Sequence, residues 1–250
     1  MENYYILGCS NGKDSLALAY KLIELKYPLN EIMFYDTGME FQAIYRNWEK
    51  LKKYAESLGI KCTRLYPTCP FTYKMFDLPV NVGKENEHYG YSWCGGRCRW
   101  GTTDKVVAMD KYCENLKAYC YVGIASDETH RLKKKVKPYK IHTLVDLGMT
   151  ELDCLEYCRT LGIDWKEPTD RTATGEIDLY SILDRVSCWC CANKNHWELY
   201  NIWKYLPDYW NKLKDLQSKL TRPFKKNLSI FELEKRFDNG YTPKHRRKHK

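Results

Sequence analysis

Features that would place the chain in a membrane or in a secretory pathway are missing from the sequence. No stretch of its 250 residues approaches the roughly 20 consecutive apolar residues of a membrane span. No signal-peptide pattern precedes the first predicted strand. We therefore expect a cytoplasmic protein without a membrane partner. Hydrophobic residues still make up 44% of the chain, which is enough to bury a sizeable core.

The expected reducing environment decides how the cysteines are interpreted. The sequence has 12 of them. In a reducing compartment, cysteines are more often metal ligands, reactive thiols or core residues than disulfides. The formal net charge is +9, and basic residues cluster in the final positions. We predict a disordered basic tail over 241–250, and a contact with a nucleic-acid backbone is the alternative.

Predicted strands and helices alternate through the first part of the chain. Apolar runs predict five strands, at 4–9, 31–36, 60–66, 116–124 and 140–145. Apolar residues recur every three to four positions over 15–25 and 42–58, which predicts helices there. This alternation is typical of a parallel sheet with crossover helices, whose ligands bind at the carboxyl ends of the strands. We predict an α/β fold with a parallel sheet of about five strands and helices on both faces.

The pattern changes after residue 150. A capping box that begins at Thr150 predicts a helix to about 161, and 195–220 reads as helical, with Pro207 starting a second helix. Weak periodicity over 67–100 predicts a long loop with a short helix. We predict three parts: a nucleotide-binding α/β domain at 1–149, a helical region with a cysteine cluster at 150–240, and the tail at 241–250.

Two common nucleotide-binding motifs are also missing. The P-loop pattern GxxxxGK followed by Ser or Thr fails, because Gly8 and Gly12 are one residue too close and Asp14 stands where a magnesium-binding hydroxyl is needed. The dinucleotide pattern GxGxxG is absent. What remains is the turn GCSNGKDS between a predicted strand and a predicted helix. Turns of this composition usually hold phosphate.

The physical chemistry of this turn suits an anion. Main-chain N–H groups at a helix N-terminus point toward a bound anion, and the helix dipole adds to the attraction. Ser10 and Ser15 can donate hydroxyl hydrogen bonds, and Gly12 lets the main chain come close to a ligand. Lys13 can neutralise phosphate charge, and Asp14 can cap the helix or help to hold magnesium. An ordinary strand-to-helix turn with a Ser/Asp cap is the alternative.

Three segments carry a resemblance to a known family. The turn resembles the SGGxDS pyrophosphate loop of the N-type ATP pyrophosphatases, with Asn11 in place of the first Gly. The string DTGMEF, which begins at Asp36, resembles the DTGxxF element of the phosphoadenosine phosphosulfate (PAPS) reductases, although the Pro-Glu-Thr that follows in that family is missing. A third segment, with Gly123 and Glu128, resembles GIRxxES of the same family. Its Arg is replaced here, and Arg131 is the nearest source of the lost charge.

The resemblance spans about 4–165 and is to the PAPS reductase-like family of the PP-loop, adenine nucleotide α-hydrolase-like superfamily. It implies ATP and Mg²⁺ as ligands and Lys13 and Asp14 as catalytic residues. The nucleotide-binding residues that it implies are Ser10, Asn11, Gly12, Lys13, Asp14, Ser15, Asp36, Gly123 and Glu128.

Two short segments contain five of the cysteines. The segment WCGGRCRW has Cys94 and Cys98, and SCWCC has Cys188, Cys190 and Cys191. Thiolates on short loops can converge on one metal, and CxxC spacing is common among metal ligands. We predict that all of these except Cys190 are metal ligands, and that Cys190 is spare or a catalytic thiol. A redox thiol pair and ordinary packing are the alternatives.

The choice of metal comes from the resemblance. The CWCC segment is similar to the second cysteine pair of nucleic-acid sulfur-modifying members of the superfamily, which implies a [4Fe–4S] cluster, with Zn²⁺ as the alternative. Arg97, Arg99 and Arg185 lie near these segments in the sequence. They can lower thiolate pKa values or bind a phosphate, whereas solvated arginines are the alternative.

Three functions follow from these patterns. The first is an ATP-dependent adenylating enzyme that releases pyrophosphate and activates an acceptor for sulfur transfer. Its acceptor is tRNA, DNA or a small molecule, and a sulfur-donor protein is a possible partner. The second is sulfonucleotide reduction, whose thiol mechanism needs a cysteine in a segment later than Cys191, where the sequence has none. The third is a nucleotide-binding regulatory module with a structural metal.

Overall fold

The structure is a computed structural model that describes residues 3–94, 98, 102–133 and 137–245. Arg97, Arg99 and positions 246–250 of the predicted tail lie outside the described residues. In the described part, the strands are β1 (Tyr5–Gly8), β2 (Glu31–Tyr35), β3 (Lys61–Leu65), β4 (Pro79–Val80), β5 (His88–Tyr89), β6 (Tyr119–Val122), β7 (Lys140–Ile141), β8 (Lys166–Pro168) and β9 (Glu176–Asp178).

The helices follow the predicted pattern in the segments with clear periodicity. In the described part they are α1 (Lys13–Glu24), α2 (Gln42–Ser57), α3 (Phe71–Phe76), α4 (Thr102–Asn115), α5 (Thr129–Leu132), α6 (Thr143–Asp146), α7 (Glu151–Thr160), α8 (Leu179–Ile182), α9 (His196–Tyr205), α10 (Pro207–Ser218) and α11 (Ile230–Asp238). None of them combines the length and the apolar character needed to cross a bilayer.

A five-stranded parallel sheet is the centre of the fold, in the order β3-β2-β1-β6-β7. The predicted fold class is therefore confirmed. The fifth strand is shorter than predicted, because the chain turns into α6 at Thr143. Leu144 is buried from that helix rather than from a strand. The other strands, β4 with β5 and β8 with β9, form two small antiparallel pairs.

Successive side chains of a strand point to opposite faces of the sheet. Apolar side chains therefore lie on both faces, and helices cover both. Leu7 and Ile32 point into the larger core cluster, which α1 and α2 also enter. Ile6 and Met33 point the other way, into a smaller cluster with Cys113 of α4. α4 packs on this second face of the sheet. It is not among the predicted helices.

The C-terminal region packs on the same core as the sheet. α7 lies along α1, and its N-terminus has the predicted capping box, in which Thr150 and Asp153 bond reciprocally. α10 begins at Pro207 as predicted. The larger cluster includes Leu7 near one end of the chain and Phe237 near the other. One core thus draws on both predicted regions, and the boundary at 149/150 stays a prediction.

Candidate functional site

The carboxyl ends of β1 and β6 border a cavity of about 570 Å³. Strand order reverses at this point, because β2 and β3 lie on one side of β1 while β6 and β7 lie on the other. Open parallel sheets bind ligands in the crevice outside such a reversal. The predicted site residues that line the cavity are Ser10, Gly12, Lys13, Asp14, Ser15, Gly123, Cys94, Cys98, Cys188, Cys190 and Cys191. The structure thus brings both predicted motifs to one place.

Asn11 explains how the turn tolerates a residue other than glycine. Its φ is 58°, in the left-handed region that Asn adopts more readily than most residues. Trp165 Nε1 donates to the Asn11 carbonyl at 2.8 Å, and the Cys9 thiol donates to Asn11 Oδ1 at 3.4 Å. The residue is fully buried and does not line the cavity. Asn11 therefore shapes the turn from its buried side, away from the cavity.

Hydrogen bonds of Ser10 and Ser15 hold the turn together. The main-chain N–H of Ser10 donates to Ser15 Oγ at 3.1 Å, and that hydroxyl donates to the Gly12 carbonyl, also at 3.1 Å. The Ser10 hydroxyl lies 3.1 Å from Ser15 Oγ, and Ser10 is exposed. Ser15 is thus engaged in the turn itself, whereas Ser10 faces the cavity.

Tyr180 is a site residue that the sequence analysis missed. The first N–H groups of a helix have no helical partner, and the N–H of Lys13 donates to the Tyr180 hydroxyl at 2.9 Å. Burial raises the pKa of Tyr180 well above its usual value, so the phenol stays neutral. Tyr180 comes from α8, and no motif near it marks it as part of a phosphate site.

Gly123 lies where β6 meets the start of α1. A Cβ on this residue would be 2.9 Å from Ser15 Cα and 3.0 Å from Ser15 N. Contacts this short do not occur between well-packed atoms, and both neighbours are main-chain atoms. Glycine at 123 therefore lets the phosphate turn approach β6.

Three carboxylates meet beside the turn. Asp14, Glu128 and Glu151 each offer an oxygen within 4.8 Å of the others. Glu128 is buried, and Arg131 and Arg185 each donate to it at 2.7 Å. Glu151 belongs to α7, and the sequence analysis used its segment only as a helix start. Carboxylate oxygens are the ligands that Mg²⁺ prefers.

Asp14 has one buried carboxylate oxygen without a hydrogen bond. This oxygen is Oδ1, and Lys13 Nζ lies 3.1 Å away from it. Burial raises the pKa of Asp14, as do Glu151 and Glu128, while Lys13 opposes the rise. Lys13 Nζ is also 3.8 Å from Glu151. An oxygen without a hydrogen bond, in a set of three carboxylates, fits Mg²⁺.

Asp36 is not brought to the cavity. Arg64 and the Tyr45 hydroxyl donate to its carboxylate at 2.7 and 2.9 Å, and the N–H of Gly38 donates at 2.8 Å. These bonds hold the loop after β2. The cavity is lined instead by Thr37, the next residue, and by α4, which contributes Lys105, Val106 and Met109 among others.

The cysteine loop, residues 187–194, docks against the loop after β2. The N–H of Trp189 donates to the Met39 carbonyl at 3.1 Å. Cys188 Sγ lies 3.5 Å from both Thr37 Oγ1 and Glu40 Oε1. Glu40 is thus a carboxylate beside the thiols, and no spacing in the sequence indicates this contact.

The thiols lie close enough to influence one another. Burial raises the pKa values of Cys188 and Cys190 well above their usual range, and neighbouring thiols add to this. Cys191 acts on both, and Cys98 acts on Cys190. In the described structure none of the 12 cysteines is in a disulfide bond.

The spacing of the thiols bears on the choice of metal. Zn–S bonds near 2.3 Å place the sulfur atoms of a tetrahedral zinc site roughly 3.8 Å apart. Within the described residues, no three cysteine sulfurs lie within 4.8 Å of one another. This spacing does not match a closed four-thiolate zinc site.

Comparisons with known proteins give a likeness in structure. No protein-family model matches the chain, and no curated protein matches it. Among solved structures, the chain is similar to the U34-tRNA thiolase NcsA from Methanococcus maripaludis with its [4Fe–4S] cluster. The identity is 14%, the match covers 95% of this chain and 71% of that chain, and the TM-score is 0.45. At these values the function has to be argued from the residues of the cavity.

Proposed function

We propose that this chain uses ATP to adenylate an acceptor, releases pyrophosphate, and transfers sulfur to the activated acceptor with a cysteine-held iron–sulfur centre. One observation carries the proposal. The phosphate turn and the five cysteines of the two motifs line the same cavity at the reversal of the sheet. A structural metal has no need to face a phosphate site, whereas sulfur transfer to an adenylated acceptor requires both centres within reach of one substrate.

The turn would hold the two outer phosphates of ATP. The N-terminus of α1 and the Ser10 hydroxyl would donate hydrogen bonds to phosphate oxygens. Asp14, Glu128 and Glu151 would hold Mg²⁺, which supplies positive charge to the phosphates. Lys13 would then move from Asp14 to a phosphate oxygen, because the carboxylates would no longer need its charge.

The chemistry would proceed in two displacements. An acceptor oxygen attacks the α-phosphorus, the bond from that phosphorus to the bridging oxygen breaks, and pyrophosphate leaves. The acceptor now carries AMP, which is a far better leaving group than its original oxygen. A sulfur nucleophile then forms the new carbon–sulfur bond and AMP departs with the bonding electrons. The residues of the turn act in the first displacement by orienting the phosphates and stabilising the charge.

The cysteines would serve the second displacement. Cys94, Cys98, Cys188 and Cys191 would hold the cluster, and the bound centre would supply or activate the sulfur. Cys190 is the fifth thiol of the cavity and is proposed as a catalytic residue. Burial raises its pKa, so it is a protonated thiol without the centre, and it needs a nearby positive charge to react as a thiolate.

A nucleic-acid acceptor suits the charge around the cavity. Lys105, Arg131 and Arg185 line it, and further basic residues follow in the tail. Cationic side chains at such a rim attract a phosphate backbone. We propose tRNA or DNA as the acceptor class, and a sulfur-donor protein as the source of sulfur.

The test is to incubate anaerobically purified protein with ATP and Mg²⁺, with and without total tRNA or DNA, and to measure AMP and pyrophosphate. We expect both products, with release stimulated by the correct acceptor. Sulfite release from PAPS with a thiol donor would instead indicate a sulfonucleotide reductase. Tight nucleotide binding without turnover under any condition would indicate a regulatory module and overturn the proposal.

A further inference from the structure

Lys194 is a buried cation without a carboxylate partner. It is 2% exposed, and its Nζ donates to Ser187 Oγ at 3.2 Å and lies 5.5 Å from the centre of the Phe41 ring. Among the residues that the structure describes, no Asp or Glu oxygen forms an ion pair with this ammonium group. The Ser187 hydroxyl and the Phe41 ring carry no net charge, so they do not neutralise the ammonium group of Lys194. Buried charges are normally paired, because their desolvation is costly.

Lys225 brings a second positive charge to the same loop. Its Nζ donates to the carbonyls of Ala192 and Lys194, both in the cysteine loop. Burial lowers the pKa of Lys225 and the charge of Lys194 adds to this, whereas Cys191 and Glu198 oppose it. Two cations that repel each other are therefore held close to the same short segment.

Two carboxylates lie near this loop, Glu198 and Glu40, whose Oε1 is 3.5 Å from Cys188 Sγ, and neither forms an ion pair with Lys194 or Lys225 among the described residues. Glu198 Oε1 accepts from the N–H groups of Asp184 and Arg185, and Oε2 accepts from the N–H of Asn195. It makes no ion pair with Lys225 within the described residues. The ammonium groups of Lys194 and Lys225 therefore both lack a direct ion-pair partner within the described part of the chain.

The geometry identifies the missing anion. Ser187, the hydrogen-bond partner of Lys194, directly precedes Cys188 in the chain. The N–H of Lys194 donates to the Cys191 carbonyl at 3.1 Å, and the N–H of Cys191 donates to the Cys188 carbonyl at 3.1 Å. A phosphate or a nucleic acid cannot reach the buried Lys194. Cys188 and Cys191 belong to the same short loop as Lys194, and metal binding produces thiolates by releasing their protons.

We propose that Lys194 and Lys225 are positioning residues that compensate the negative charge of the thiolate-bound centre, and that they thereby raise its metal affinity and its reduction potential. The inference rests on the metal centre of the proposed function but not on ATP turnover. Reduction adds one negative charge to a cluster, so nearby positive charges favour the reduced state. Loss of either lysine charge should therefore make the cluster harder to reduce.

The experiment compares Lys194→Met and Lys225→Met, which keep side-chain length without charge, with Lys194→Arg and Lys225→Arg, which keep the charge. Lys204→Met on α9 is the matched control, because Lys204 is exposed. Each protein is purified anaerobically and reconstituted with iron and sulfide. The midpoint potential is then measured by redox titration, and the rate of metal loss to a chelator is followed, which also gives a readout if the bound metal is zinc.

We expect a more negative midpoint potential and about tenfold faster metal loss in both Met variants. The Arg variants and Lys204→Met should stay close to the unmodified protein. Since Lys225 is only half-buried, its Met variant remains a test even if Lys194→Met fails to fold. Unchanged potentials and unchanged metal loss in the Met variants would overturn this inference and leave the proposed function standing. An unmodified protein that binds no metal at these cysteines would remove the centre and this inference with it, whatever its ATP turnover.

Discussion

The two ends of the cavity are built in opposite ways. At the phosphate turn, bonds between neighbours, such as Ser10 to Ser15 and Ser15 to Gly12, close the turn, and Trp165 and Tyr180 add bonds from distant segments. At the cysteine loop, the contacts join distant segments, such as Cys188 to Glu40 and Lys225 to Ala192. Local hydrogen bonds thus give the turn much of its shape, whereas the position of the cysteine loop depends on contacts with distant segments.

The charges of the two ends are also opposite. Beside the turn, three carboxylates meet with one lysine between them, so this end needs a cation. Around the cysteine loop, Lys194 and Lys225 lack an ion-pair partner among the described residues, although Glu40 lies beside Cys188, so these two charges favour an anion at that end. The proposed Mg²⁺–nucleotide complex and the proposed thiolate-bound cluster would satisfy these two needs. Variants at each end of the cavity test whether the two ends are independent.

The largest effect is expected from Cys188→Ser combined with Cys191→Ser. We expect almost complete loss of iron, because a serine hydroxyl is a poor iron ligand compared with thiolate. ATP affinity should change less than about twofold, since the turn does not use these residues. Iron analysis and calorimetric titration with ATP measure the two effects.

Cys62→Ser is the matched control for that pair, since Cys62 lies on β3, outside the cavity lining. Equal iron content in the double variant and in the unmodified protein would contradict the metal assignment. A parallel loss of ATP binding would show that the two ends are coupled.

Asp14→Ala should weaken Mg²⁺-dependent ATP binding by about 100-fold, a loss of about 2.8 kcal/mol, which is within the cost of removing a charged, buried polar partner. Iron content should not change, since Asp14 belongs to the other end of the cavity. The measurement is ATP affinity with and without Mg²⁺. Asp170→Ala, at an exposed aspartate, makes the same chemical change away from the cavity and should have no effect. Equal losses in both variants, or unchanged affinity in Asp14→Ala, would refute the role of Asp14.

Gly123→Ala should weaken ATP binding by about tenfold, because overpacking against main-chain atoms costs roughly 1–3 kcal/mol. The added Cβ meets Ser15 Cα at 2.9 Å. Gly8→Ala is the control on the neighbouring strand. Its Cβ meets only the mobile end of Met109 closely, so it should cost less. The reverse order of the two losses would show that the approach of β6 to the turn is not what shapes the site.

The smallest effect concerns pH. Burial raises the pKa of Asp14, with help from Glu151 and Glu128, so this carboxyl takes up a proton at a higher pH than an ordinary aspartate. A protonated carboxyl does not hold a cation, so Mg²⁺ affinity of the nucleotide-free protein should fall several-fold from pH 7 to pH 5.

The folding consequence of Asp14 has the opposite sign. A carboxyl with a raised folded-state pKa destabilises the metal-free protein when ionised. Its contribution to stability therefore improves as pH falls through that pKa. Titration calorimetry with Mg²⁺ at the two pH values tests the binding effect. A pH-independent affinity, or the same pH dependence in Asp14→Asn, would contradict it.

Local sequence patterns predicted the parts of the fold that depend on near neighbours. The five strands, α2, the capping box at Thr150 and the break at Pro207 all follow from spacing or from the chemistry of one turn. α4 was missed although Val106, Met109 and Cys113 recur at helical spacing, because its polar residues weaken the pattern. The strand predicted through 145 was too long, because a short apolar run fits either a strand or a buried helical turn.

The sequence alone determined the turn at the end of β1, since Asn11, Gly12 and the two serines set its shape within a few positions. Only the tertiary structure decided what meets this turn. No sequence pattern indicates the contacts of Glu151, Tyr180 and Lys194, and the positions of these side chains depend on how the core packs. Hydrogen bonds between neighbours leave a pattern in the sequence. A contact between a charged residue and a distant segment leaves no such pattern, because the residues between the two segments do not indicate that folding will bring them together.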